Sequence, residues 1–206
     1  MTKLITIIAM FVASILSAQT QFDQGMKKAL QTWKEGNSKE ALVQFEQIAS
    51  VEKTNWLPNY YIAFITTTQA FTEKDKTKME SLLKEAQKAQ DVCSELTKDN
   101  PEVLVLQAMI HTAWIVYDPM ANGQRLSGDV MYILNKAYKI APENPRVVFQ
   151  KASFEKGMAQ YFGQDTQPMC AQIEKAIELF ATFKPESALH PSWGLDKAQE
   201  ALKACK

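Results

Sequence analysis

The chain is short of glycine, with 7 in 206 residues, where average usage would be roughly 7%. Proline is also sparse, at 8. Phosphate-cradling loops, dinucleotide folds and hairpin-rich β architectures spend glycine in their turns, so the composition argues against all three. Charge of one sign is missing as well. The 23 basic residues face 23 acidic ones, which leaves no electrostatic footprint for nucleic acid. No Lys or Arg cluster marks an anionic membrane surface. Only two histidines occur, His111 and His190, and neither has a second His or Cys at metal-ligand spacing. Gly-x-Ser-x-Gly and His-Glu-x-x-His are absent. The acidic pairs fall on polar helix faces. These absences predict a protein that is not an enzyme and carries no cofactor or metal.

What is present begins with a leader. Lys3 is the sole charge before Asp23, and Leu4 to Leu16 is almost wholly apolar. Ser17-Ala18 then supplies small residues. A basic start, a short apolar run and a small-residue end predict a signal peptide over 1–18, cut after Ala18. Periplasmic or secreted localisation follows. The run is shorter than the ~20 residues that span a bilayer, and no second long apolar run occurs, so the remainder is expected not to insert in a membrane. Residues 19–206 are expected to form one domain.

Helical periodicity fills that domain. Phe22, Met26, Ala29, Leu30 and Trp33 recur at helical spacing, Gly36-Asn37-Ser38 breaks the run, and Ala41, Leu42, Phe45, Ile48 and Ala49 resume it. A helix from Pro58 to about Phe71 and a longer one ending near Lys98 follow, with a polar turn around 72–78. Asn100-Pro101 and Asn144-Pro145 each pair a capping asparagine with a proline at the first helical position. Two identical helix starts suggest a repeated unit.

Superimposing the hairpins brings out that unit. Gly36 to Ile48, with Ala41 and Phe45, resembles the turn and second helix of a tetratricopeptide repeat (TPR). Lys136-Ala137-Tyr138-Lys139-Ile140-Ala141-Pro142 resembles the family's exit from the second helix, and Glu174-Lys175-Ala176-Ile177 is a looser copy. Ala29, Ala63, Ala108 and Ala152 fall where each first helix carries its small residue. The chain therefore resembles an exported bacterial TPR-like protein. The resemblance implies an all-α, right-handed α-solenoid of about four degenerate repeats, with a capping helix after Ser192. The repeats run longer than the usual ~34 residues, and the excess is expected in turns, including an insertion loop over Asp118-Pro119-Met120-Ala121-Asn122-Gly123-Gln124-Arg125. Trp193 is expected to pack back on the last repeat.

Three cysteines survive the predicted cleavage. If the last two helices form an antiparallel hairpin centred near residue 188, Cys170 and Cys205 meet at its open end. They are then either bridged, which would contribute ~3–4 kcal/mol, or two neighbouring buried thiols. Cys93 lies on a helix stripe and reads as a small core residue.

In TPR arrays the first helix of each pair lines a concave groove. The resemblance places Met26, Leu30 and Trp33, then Tyr60, Phe64 and Thr67, then Val105, Met109 and Thr112, then Arg146, Phe149 and Ser153 along it. Aromatics and methionine are enriched at interface hot spots. The expected function is a periplasmic or secreted module that binds a protein or peptide on this face. The alternative is a carrier of a small apolar or lipid ligand in the inner curve.

Overall fold

The computed structural model describes residues 19–205; the predicted leader over 1–18 lies outside them. Among the described residues there are helices and no strands. They are α1 (19–34), α2 (Ser38–Val51), α3 (Leu57–Ala70), α4 (Lys76–Leu96), α5 (Pro101–Tyr117), α6 (Pro119–Ile140), α7 (Pro145–Tyr161), α8 (Gln167–Thr182) and α9 (Leu195–Lys203). Consecutive helices pair as hairpins α1/α2, α3/α4, α5/α6 and α7/α8. First helices of neighbouring hairpins touch directly, α3 on α5 and α5 on α7. This is a solenoid of stacked helical hairpins of the TPR type.

Local chemistry sets the helix starts. The Asn100 side chain accepts from Glu102 N–H, and that of Asn144 accepts from the N–H groups of Arg146 and Val147. Asp75 and Asp118 do the same for Lys78 and Ala121. Such caps satisfy amides that no helical carbonyl can reach, at about 1 kcal/mol each. Gly36, at φ +89°, turns the chain between α1 and α2.

Small residues let the hairpins nest. Ala29, Ala63, Ala108 and Ala152 are all buried, as are Ala41, Ala86, Ala89, Ala137 and Ala176 on the second helices. Phe45 fills the space beside Ala41 and stacks on Tyr61, with 5.1 Å between ring centroids. Overfilling such close crossings typically costs about 1–3 kcal/mol.

Two sequence expectations change here. The stretch from Asp118 to Arg125 is not an insertion loop. Asp118 ends α5 and caps α6 in a single residue, and Pro119 opens α6 at its first position. Asn122 Nδ2 donates to Trp114 O, which closes the corner. The extra length of this repeat is therefore helix, whereas the turns expected near 72–78 and 163–167 are present as non-helical residues 71–75 and 162–166. At the other end, residues 183–194 form a non-helical strap with a turn over Ser187–His190, and α9 begins only at Leu195.

Cys170, in the first turn of α8, is bridged to Cys205 just past α9, with 5.9 Å between Cα atoms. The 35-residue separation corresponds to a loop-closure contribution of ~4 kcal/mol. Cys93 is buried, donates to Trp56 O, and has its pKa pushed up to about 12 by burial. It is a packing residue with little thiolate at neutral pH.

Candidate functional site

Most of the expected groove residues lie inside the protein. Met26, Tyr60, Thr67 and Val105 have no exposed surface; Phe64, Met109, Arg146 and Phe149 are also buried. Leu30 and Trp33 are half-buried against the same core. Thr67 spends its hydroxyl on Ala63 O within its own helix. The structure does bring the N-terminal set together: Trp33 meets Tyr61 and Phe64, and Phe64 lies parallel to Tyr60.

The strap seals this part of the groove. Leu189 is buried in the main core, and its carbonyl accepts from Tyr61 Oη at 2.8 Å. Trp193 stacks on Phe64, centroid to centroid at 4.4 Å, and donates its Nε1–H to Tyr60 Oη. It therefore packs across the curve onto the second hairpin, and it also meets the last repeat as the sequence suggests, with the Arg146 guanidinium of α7 6.0 Å from its ring. An aromatic wall half-covered by helices gains more by burying a neighbouring chain segment than by facing water, at ~25 cal/mol per Å². Burial also raises both tyrosine pKa values, so the two hydroxyls stay protonated and can each act in a hydrogen bond.

Beneath the strap lies a consequence of the repeat. Glu102 and Arg146 hold the same place after their Asn-Pro starts, so stacking sets them side by side. Arg146 Nε and Nη2 donate to the two Glu102 oxygens at 2.7 and 2.6 Å, and Asn144 Nδ2 adds a third donor at 2.6 Å. Phe183 stacks over the guanidinium at 4.8 Å. Burial lowers the Arg146 pKa, but the Glu102 hydrogen bonds and charge more than offset this and leave it raised. The pair is satisfied and structural. A depression of about 710 Å³ sits beside it, between the starts of α5 and α7 and the strap, with Trp56, Lys184, Glu186 and His190 in its walls.

The opposite ends of α5 and α7 are open. Where α5 and α7 finish and α6 begins, a cleft of about 620 Å³ is lined by Thr112, Ile115 and Val116 of α5, by α6 from Pro119 to Ser127, by α7 from Ser153 to Tyr161, and by Phe162, which follows α7. Among the described residues its walls hold no charged side chain, and Tyr161 is the one titratable group lining it. Met120 is 85% exposed, Tyr161 67%, Phe162 62% and Val116 60%. Scattered exposed hydrophobes need no explanation, but four around one concavity do. Ser153 adds a second anomaly, because its buried hydroxyl has no hydrogen-bond partner among the described residues.

Sequence reasoning holds pieces of this cleft separately. It places Thr112 and Ser153 on the groove, and Met120, Gly123 and Gln124 in the supposed loop. It misses Ile115, Val116, Phe154, Met158, Tyr161 and Phe162. The available signal is the end of α5, where Ile110, Ala113, Ile115 and Val116 put apolar side chains on more faces than one core can cover. Neither histidine is in the cleft. Among the described residues no group of three or more His, Cys, Asp or Glu is placed to hold a metal ion.

The fold defines a TPR-like helical protein. No family model and no curated protein matches the chain. Among solved structures, the HusA haemophore from Porphyromonas gingivalis has a TM-score of 0.78 to this chain, at 23% identity, covering 90% of this chain and 92% of that one. A thermophilic TPR protein of Thermus thermophilus has a TM-score of 0.61 at 14% identity, covering 89% of both chains. At these identities the likeness speaks to the fold.

Proposed function

We propose that this chain is a non-enzymatic carrier of a planar, largely apolar small molecule of the porphyrin class, held in the cleft between α5, α6 and α7. The carrying observation is the cleft itself: concave, free of charge, and rimmed by four large apolar side chains that nothing in the described chain covers. Sites for small ligands have this character, with few polar groups among apolar ones. Likeness in fold to a haemophore supports the ligand class. Phe154, Tyr161 and Phe162 offer ring faces for a π-system. Met120, Met158 and Tyr161 are the lining side chains able to approach a metal within such a ligand. The alternative of a protein or peptide on the concave face has less support, because the strap occupies that face beside α3.

Function outside the cytoplasm belongs to the same proposal. The leader-like segment over 1–18 and the Cys170–Cys205 bridge both favour an oxidising compartment.

Titration of the purified chain with hemin and with protoporphyrin IX, followed by absorbance and tryptophan quenching, tests the reading. Saturable one-to-one binding is expected. Met120→Glu and Phe162→Glu should each weaken it about tenfold or more, since burying either side chain is worth ~1.5–3 kcal/mol and about 1.4 kcal/mol is tenfold. Both residues are exposed, so neither change should disturb the fold. Absence of saturable binding, or equal affinity in both variants, would refute the proposal.

A further inference from the structure

Three helix-interior glycines serve no evident purpose in the fold itself. Gly123 and Gly128 of α6 and Gly157 of α7 are absent from the residues with positive φ, so backbone conformation does not require them. A Cβ built at any of the three would meet nothing within 4 Å, so packing does not require them either. Alanine at such positions favours a helix. The repeat sharpens the point for Gly157. Counting from the paired Asn-Pro starts, its counterpart in the preceding hairpin is Ala113, which is buried in the core. Two of the three, Gly123 and Gly157, line the same cleft from different helices. Ser153 lies one helical turn before Gly157, and its buried hydroxyl is unpaired.

We infer that Gly123 and Gly157 are the positions at which a bound planar ring lies directly against helix backbone, with Ser153 giving that ligand one buried hydrogen bond. This rests on the carrier reading and adds to it a specificity-determining pair. Bare backbone on both helices widens the cleft by a side chain on each wall and suits a flat, rigid body. Uncharged walls suit an uncharged ring face, with any ionic substituent left at the mouth. A ligand atom that pairs with Ser153 removes the cleft's one unsatisfied polar group.

The test uses the full chain with hemin and protoporphyrin IX as probes, and thermal melting as a check on folding. Gly123→Leu and Gly157→Leu are expected to keep the wild-type melting temperature and to lose at least tenfold in affinity for both probes. Gly128→Leu, on the same helix but outside the lining, should bind as wild type. Ser153→Ala should lose several-fold. Gly123→Ala and Gly157→Ala provide milder variants in which folding is not in question, each with a smaller loss in the same direction. Wild-type binding that survives unchanged in both leucine variants, or in both alanine variants should the leucine forms fail to fold, overturns this inference and leaves the carrier reading standing. Failure of the wild type to bind either probe overturns both.

Discussion

Around α3, Tyr60 and Phe64 are covered by a strap from the far end of the chain. Around the ends of α5 and α7, Val116, Tyr161 and Phe162 are covered by nothing the described chain supplies. Both regions are rich in large apolar residues. They differ in how the polar atoms are settled. Under the strap the polar side chains are paired: Tyr60 with Trp193, Tyr61 with the Leu189 carbonyl, and Arg146 with Glu102. In the open region Ser153 has none. Burying a polar group without a partner is expensive, so the protein finishes the region it closes itself. The region left unfinished is where a ligand can supply what is missing.

The largest expected effect comes from breaking the closed region at its base. Glu102→Ala leaves Arg146 buried and unpaired, which should cost ~3–5 kcal/mol in urea or thermal unfolding. Replacing both partners, as in Glu102→Leu with Arg146→Met, should recover most of that loss, because no charge is then stranded. Hemin affinity of the double variant should stay within about twofold of wild type, because the pair lies outside the open cleft. A cost of Glu102→Ala below ~1 kcal/mol would remove the pair from any account of how the hairpins are tied.

A smaller effect is expected from lifting the strap. Trp193→Ala removes the ring stacked on Phe64 and the donor to Tyr60. Full burial would put such a change at ~3–5 kcal/mol. Trp193 is half-buried, which brings the expectation to about 2–3 kcal/mol. Opening this region should create a second apolar site, visible as added binding of an apolar fluorescent dye. If stability falls and no such site appears, the residues beneath have closed up, and the contrast between a sealed and an open region is one of packing rather than of cover.

Much of this contrast cannot be read from sequence, for identifiable reasons. Repeat periodicity makes the hairpins legible, because Ala29, Ala63, Ala108 and Ala152 each mark a crossing that tolerates only a small residue. The antiparallel arrangement of the last two helices likewise brings Cys170 and Cys205 to one end. The fate of the groove is not legible. Tyr60, Tyr61 and Phe64 look the same in sequence whether they face a partner or a strap, since the deciding contacts span more than a hundred residues, 128 for Tyr61 and 133 for Tyr60. The supposed loop from Asp118 to Arg125 misleads for a local reason. Asp118-Pro119 is the same capping device as Asn100-Pro101, but Asn122-Gly123 in its wake reads as a turn. In the fold that glycine sits inside a helix with open space beside it.

The least effect, and the one that probes the back of the open region, concerns His111. This half-buried residue of α5 is influenced by Asp129 and Arg125 of α6, the helix that walls the cleft. Burial lowers its pKa below the ordinary 6.5; Asp129 opposes that shift, and Arg125 adds to it. Its Nε2 lies 2.9 Å from the Gln107 amide nitrogen, which also donates to Gln87. With that amide donating, the ring proton sits on Nδ1, which is buried without a partner. A second proton on Nε2 would face an N–H group. The unfolded chain therefore takes up the proton more readily than the fold does. The stabilisation held by neutral His111 is complete above the unfolded value and is lost as pH falls through the folded one. Melting temperature should drop between about pH 7.5 and pH 5, and part of that drop should vanish in His111→Gln. Glu85, whose pKa is raised by partial burial, acts with the opposite sign over the carboxylate range, so the difference between the two proteins isolates the histidine. Hemin affinity that follows the same pH curve, and loses it in His111→Gln, would mean that the wall of the cleft moves with this ring. A flat affinity would mean that the wall of the cleft does not follow the protonation of this ring.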